Sequence, residues 1–225
     1  MDIRPTVILA YSGTLKYYSA KERSVNKRWF DFIWGTYFSD IINKYSRSGE
    51  TIFKALKLLK NTNKISSELF QFKLWGNIEI GNHYQIQEFE INDLVEIGKS
   101  KKKNESIEDL NKADVLFLAL EFSKNGQRPL YIPGKIFEYI QLRKPILAIA
   151  DDSDAKEILV QSGLAIICTD SATDVAEKIS YLIENKDCFD ELFRPNEEYI
   201  SSLNAKYKTA ELAAIFDEIL FDDRK

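Results

Sequence analysis

Apolar positions along this chain switch between a strand period and a helix period. Thr6 to Tyr11 is a β-rich apolar run ending at Ser12-Gly13-Thr14, the pattern of a buried strand entering a glycine turn. Residues 26–45 place Trp29, Phe30, Ile33, Trp34, Tyr37, Phe38, Ile41, Ile42 and Tyr45 at helical spacing, with Lys27, Arg28, Asp31, Asp40 and Lys44 opposite, which predicts an amphipathic helix. Ser48-Gly49-Glu50 opens a second helix through Lys60, with Ile52, Phe53, Leu56 and Leu59 on one side. Glu68 to Trp75 alternates and stops at Gly76, and Leu94 to Ile97 stops at Gly98. Ser106 to Leu110 predicts a short helix with a serine cap.

The second half repeats the alternation. Ala113 to Leu120 (ADVLFLAL) and Pro145 to Ala150 are nearly all apolar, as strands covered on both faces are. Asp154 to Ser162 and Asp174 to Asn185 read as helices, with Asp154 capping the first, and Leu164 to Cys168 reads as a strand. Tyr199 to Phe221 predicts one long closing helix. Strands alternating with helices predict an α/β fold: a doubly wound, Rossmann-like parallel sheet of about six strands. The expected organisation is a single domain over residues 1–225, with a helical insertion at about 16–48 and a closing helix at about 199–221. Residues 61–67 and 100–105 read as solvated turns within it.

Composition narrows the function classes. A formal net charge of -4 gives no global attraction to nucleic acid, so no nucleic-acid partner is expected. Two cysteines, Cys168 and Cys188, and one histidine, His83, exclude a disulfide framework or a Cys/His zinc site and suit a reducing cytosol. No metal site is expected, and Asp151-Asp152 reads as an acidic turn. His83 falls in a stretch that reads as a polar loop, and Lys99 to Lys103 reads as a solvated run. The chain is expected to be cytoplasmic.

The densest chemistry lies at Pro133-Gly134-Lys135-Ile136-Phe137-Glu138-Tyr139-Ile140, followed by Arg143-Lys144-Pro145. This is a tight Pro-Gly turn, a short helix, a basic turn and a buried strand. A helix start presents unpaired N–H groups to an anion, and the glycine admits close approach of a ligand. Lys135 in the first turn opposes the helix dipole unless an anion is present. Glu138 sits about one turn in, where a carboxylate can grip two adjacent ribose hydroxyls. A phosphate cradle beside a ribose clamp outlines a nucleotide-sugar site.

Taken in order, YSGTL at 11–15, LWG at 74–76, VEIG at 95–98, KADVL at 112–116 and GKIFEYIQLRKPILAIA from Gly134 resemble the C-terminal, donor-binding half of GT-B glycosyltransferases of the retaining family 4 type. Leu203 to Leu220 is similar to the closing helix of those enzymes. The resemblance implies that Gly13 and Thr14 lie under the diphosphate, and that the turn of Gly98, Lys99 and Ser100 holds the base through backbone groups. It also implies that Gly134, Lys135 and Ile136 offer N–H groups to the β-phosphate and that Glu138 binds the ribose. The donor is a nucleoside-diphosphate sugar, and no separate cofactor or metal is implied. Lys16, Lys21, Arg23 and Lys135 are candidates for the basic pair such enzymes place near the phosphates. Leu130 stands where many members carry a first glutamate, a departure shared by subgroups of the GK-aliphatic-FEY form. No residue is singled out as catalytic.

What the resemblance implies is the donor-binding domain of a hexosyltransferase-type enzyme acting in cell-surface polysaccharide or lipid-linked glycan synthesis. Its expected partner is an N-terminal acceptor-binding domain or subunit, since the first strand begins at residue 6 and nothing here corresponds to that half. Contact with the inner face of a membrane, through that half or through the 26–45 helix, is a further expectation. The alternatives are a UDP-sugar 2-epimerase-like domain, which His83 alone equips poorly, and a non-catalytic α/β domain that binds a partner.

Overall fold

The computed structural model describes residues 7–19, 42–123 and 128–222. Six parallel strands form one sheet in the order β4-β3-β1-β5-β7-β8: β1 (Val7–Ser12), β3 (Phe70–Trp75), β4 (Val95–Ile97), β5 (Val115–Ala119), β7 (Ile146–Ile149) and β8 (Ala165–Cys168). Counted along the chain, that order is 3-2-1-4-5-6, the doubly wound arrangement predicted from the sequence. The short strands β2 (Ile42–Asn43) and β6 (Phe122–Ser123) pair antiparallel in a separate ribbon.

The central strands β1, β5 and β7 are apolar on both faces because helices cover both. On one face Leu9, Tyr11, Phe72, Phe117, Leu147 and Ile149 pack against α1 (Glu50–Asn61) and α6 (Ala172–Glu184) through Ile52, Phe53, Leu56, Val175 and Ile179. On the other, Ala10, Leu116, Leu118, Ile146 and Ala148 pack against α3 (Lys103–Lys112), α4 (Gly134–Gln141), α5 (Asp154–Gln161) and α8 (Glu197–Ser202). Burying runs of this kind supplies most of the favourable free energy of such a fold, roughly 25 cal/mol per Å² of apolar surface removed from water.

Several local expectations need correction. His83 lies on a helix, α2 (Ile80–Glu88), not in a loop. The helix expected at 106–110 begins earlier, at Lys103, so Ser106 lies inside it instead of capping it. Ser153, not Asp154, caps α5: its hydroxyl accepts from the Lys156 N–H at 3.2 Å. The closing helix is broken at Leu203-Asn204 into α8 and α9 (Ala205–Asp222), with the short α7 (Phe189–Leu192) preceding them. Of the helix expected at 26–45, residues up to 41 lie outside the described residues; 42–43 are strand β2 and Lys44–Arg47 a 3-10 turn. Among the described residues, no helix is long and apolar enough to cross a membrane.

Candidate functional site

The strand order reverses between β1 and β5, and α/β sheets open a crevice at the carboxyl ends of the two strands flanking such a point. Here those ends are Ser12-Gly13 and Ala119-Leu120. The loop after β5 leads into α4, whose first two turns reach back over β1. The Tyr139 hydroxyl accepts from the Ser12 N–H at 3.3 Å, and the Lys135 ammonium donates to the Ser12 carbonyl. The GKIFEY helix and the YSGT turn, more than 120 residues apart in sequence, therefore meet at this edge of the sheet.

Gly13 has φ +145°, a region that L side chains rarely adopt. A methyl group there would collide with the Lys135 ammonium and stand 3.3 Å from the Tyr11 hydroxyl. Thr14 is exposed, and its carbonyl accepts from Tyr11 Oη at 2.7 Å. Gly98 ends β4 on the same sheet edge. A Cβ at Gly98 would lie 2.5 Å from the Trp75 ring, so the glycine allows the indole to close against the backbone. Lys99 beside it is exposed. Around Gly134 there is open space: an added Cβ meets nothing within 4 Å.

Of the three N–H groups expected to face a phosphate, that of Ile136 is already donated to the Pro133 carbonyl at 3.1 Å, and its side chain is buried in the core. Gly134 and Lys135 keep theirs in the open first turn. No side chain caps this helix start. Glu138 is exposed and ion-paired to Lys103 at 2.8 Å, which joins the start of α3 to the middle of α4. Ser106 on α3 also meets the crevice, its hydroxyl bonded to that of Ser12.

Lys135 Nζ stands 4.2 Å from the centre of the Tyr11 ring and 5.9 Å from that of Tyr139. Burial pulls its pKa down to about 8; the charge of Glu138 opposes this and that of Arg47 adds to it. Burial also pushes the Tyr11 phenol up to about 12 and raises that of Tyr139 still further.

Arg47 was not among the candidates for the basic pair, yet the fold brings it to the crevice. The β2–β6 ribbon lays its segment across the loop after β5. Ser46 Oγ donates to the Leu120 carbonyl at 3.1 Å and accepts from the Phe122 N–H at 2.9 Å. Arg47 pairs with Glu121 at 3.0 Å and lies 5.8 Å from the Tyr131 ring centre. Lys16 is exposed, bridged through its backbone to Ser48, while Lys21 and Arg23 lie outside the described residues. Leu130 is 78% exposed beside Tyr131. Asp151 is occupied in the turn, accepting from the N–H groups of Ser123 and Asp152. Among the described residues no cluster of three or more His, Cys, Asp or Glu side chains forms a metal site. Tyr11 and Tyr139 were legible as neighbours of the turn and of Lys135, whereas nothing in the sequence pairs residues 42–47 with 120–123.

The sheet order and its flanking helices define a Rossmann-like α/β fold, similar to one half of the GT-B fold of known glycosyltransferases. Solved structures match on that basis. HepE from Anabaena, in complex with UDP and glucose, aligns at a TM-score of 0.60 with 12% identity, covering 96% of this chain and 49% of HepE. Sucrose-phosphate synthase from Thermosynechococcus elongatus aligns at 0.59 with 10% identity, over 99% of this chain and 47% of the synthase. The UDP-GlcNAc 2-epimerase from Neisseria meningitidis, bound to UDP-GlcNAc, aligns at 0.51 with 14% identity, over 96% and 45%. The chain thus spans about half the length of these proteins, and at such identities the likeness is one of fold. No protein-family model and no curated protein matches the sequence.

Proposed function

We propose that this chain is the nucleotide-sugar-binding domain of a glycosyltransferase that moves a sugar from a nucleoside-diphosphate donor to a hydroxyl acceptor. The observation that carries the reading is the junction of the Gly134 helix start with Gly13, closed by Lys135 and Tyr139 at the switch point of the sheet. That junction combines open backbone N–H groups, a glycine with no side chain in the way, and two cations, Lys135 and Arg47, at the place where an α/β sheet binds phosphates. Glu138, one turn further along, suits the ribose. Gly98, Lys99 and Trp75 line the same edge, where a base would lie. UDP or a UDP-sugar is bound in two of the structures named above, which makes uridine nucleotides the first ligands to try.

In this reading the donor sugar is the substrate and no separate cofactor takes part. The acceptor would be presented by a second, N-terminal domain or subunit, because the chain matches half of the proteins it resembles in fold. Cell-surface glycan synthesis at the cytoplasmic face of a membrane is the setting we propose. The test is calorimetric titration with UDP, GDP and their sugars, on the native chain and on Glu138→Ala. Binding of one nucleotide, weakened at least tenfold in the variant, supports the donor domain; no binding up to millimolar concentration supports a non-catalytic domain instead. The likeness to the epimerase favours one second reading, a UDP-sugar 2-epimerase-like domain. A chain that binds UDP-GlcNAc and, with its partner half, yields the 2-epimer instead of a glycoside would establish it.

A further inference from the structure

Lys135 holds an unusual position for a lysine at a helix start. Its ammonium is turned inward, against the Ser12 carbonyl and over the face of the Tyr11 ring, on the spot that a side chain at residue 13 would occupy. The charged and titratable groups around it come from four elements. β1 supplies Tyr11, whose hydroxyl is spent on the Thr14 carbonyl, and α4 supplies Tyr139, whose hydroxyl is spent on the Ser12 N–H. α4 also carries Glu138, but that carboxylate is held by Lys103 of α3 at 2.8 Å. The segment before α1 supplies Arg47, a second positive charge. The ammonium is thus part-buried with one carbonyl acceptor, two aromatic faces and a second cation nearby. Burial above all, and Arg47 with it, favour loss of its proton, while the charge of Glu138, shared with Lys103, opposes that loss.

A diphosphate entering between Gly13 and Gly134 reverses that balance by bringing negative charge to the ammonium at short range. We propose that a nucleoside diphosphate bound in this crevice is held together with a proton taken up by Lys135, so that ligand binding and lysine protonation are one linked event. The proposal rests on the nucleotide reading above and adds its pH dependence. The proton comes from solvent and goes to Nζ; no bond other than N–H is formed. Tyr11 and Tyr139 stay protonated throughout this range, because burial raises both.

The size of the effect follows from the free-state value of about 8. At pH 8.5 about three quarters of Lys135 is neutral, so binding takes up ~0.7 proton. From pH 7 to pH 9 the contribution of Lys135 to UDP affinity falls roughly tenfold. The experiment is calorimetry with UDP at pH 8.5 in two buffers of different ionisation enthalpy, on the native chain, Lys135→Arg and Lys135→Met. The expected result is uptake in the native chain and none in either variant, with the arginine variant binding independently of pH. UDP binding without uptake overturns the linkage and leaves the nucleotide reading standing, and uptake that persists in Lys135→Met assigns it to another group and overturns it too. Absence of any UDP binding overturns the nucleotide reading, and the linkage with it. A ligand-free readout stands beside these: a ¹³Cε lysine titration by NMR, assigned with Lys135→Arg, is expected to place Lys135 well below ordinary lysines, and a value at or above ~10 overturns the proposal.

Discussion

Arg47 Nη1 lies 3.0 Å from Glu121 Oε1, an ion pair that ties the segment entering α1 to the loop leaving β5. The two residues are 74 apart in sequence, and the Glu121 side chain is only 17% exposed. With Ser46 bridging Leu120 and Phe122, the pair fixes both arms of the chain across the switch point. It also parks a guanidinium beside the crevice, held by a carboxylate that an incoming phosphate would have to rival.

That competition gives a signed prediction. Arg47→Ala should weaken UDP binding by roughly tenfold, the value of one charge-assisted contact, about 1.5 kcal/mol. Glu121→Gln should leave UDP binding equal or tighter, because the guanidinium is then free to turn to the phosphates. A double-mutant cycle in urea should give a coupling of about 0.5–1 kcal/mol for the pair, the range for part-exposed ion pairs. If Arg47→Ala binds UDP as the native chain does, Arg47 only pins the ribbon.

Gly13 tests the junction itself. Alanine there is strained by φ +145° and drives a methyl group into the Lys135 ammonium. We expect Gly13→Ala to lose about 1–3 kcal/mol of stability and all measurable nucleotide binding. Adding Lys135→Ala should return part of the stability, since the clash is with the far end of a flexible side chain, but none of the binding. With Lys135→Ala alone completing the cycle, zero coupling between the two substitutions in denaturant melts would show that backbone strain alone accounts for the loss.

How much of this was readable beforehand depends on what each residue is buried against. The main strands were legible because β1, β5 and β7 are apolar on both faces, and the helix at Gly134 because its Pro-Gly start and apolar face are local. Helix α2 was not, because its buried face is polar: Asn82 is fully buried and its amide donates to the Leu15 carbonyl at 3.0 Å and that of Glu79 at 3.2 Å. A helix that braces a loop with amides carries no hydrophobic period to find. The break between α8 and α9 was hidden for another reason. Asn204, with no Gly or Pro nearby, ends one helix and accepts from the Lys206 N–H at 2.9 Å as the next begins.

The same distinction runs through the candidate site. Gly13, Gly134, Lys135 and Glu138 belong to two short motifs, and the fold brings those motifs together. The N–H of Ile136, expected from the sequence to face a phosphate, is taken by the Pro133 carbonyl, a 3-10-type contact that only the turn geometry decides. Arg47 reaches the crevice through a ribbon of two residues on each side, too short to leave a period in the sequence.

Glu138 separates a ribose clamp from a solvated carboxylate paired with Lys103. If it grips both hydroxyls, 2′-deoxy-UDP should bind the native chain about tenfold more weakly than UDP, and Glu138→Ala should bind the two alike. Lys103→Ala should change UDP affinity by no more than about twofold, because its pair with Glu138 is exposed. Undiminished discrimination against the deoxy ligand in Glu138→Ala would remove Glu138 from the ribose site.

Lys135 also makes a prediction about stability without any ligand. Its pKa is about 8 in the folded chain against an ordinary value of 10.5, so between those values the unfolded chain binds more protons than the folded one. Stability linked to this residue therefore rises as pH goes from about 8 to about 10.5, and is lost as pH falls through 8. Below pH 8 the folded chain carries a charge that its surroundings disfavour, at a cost of order 1–3 kcal/mol. Lys135→Met, of similar length and without charge, should remove that dependence. Urea unfolding at pH 7, 8.5 and 10 should then show the variant gaining on the native chain at pH 7 and converging with it at pH 10; the difference between the two cancels groups such as Cys168, whose buried thiol is pushed up to about 12 in both. A difference that stays constant across the three pH values would mean that the inward-facing ammonium titrates as an ordinary lysine.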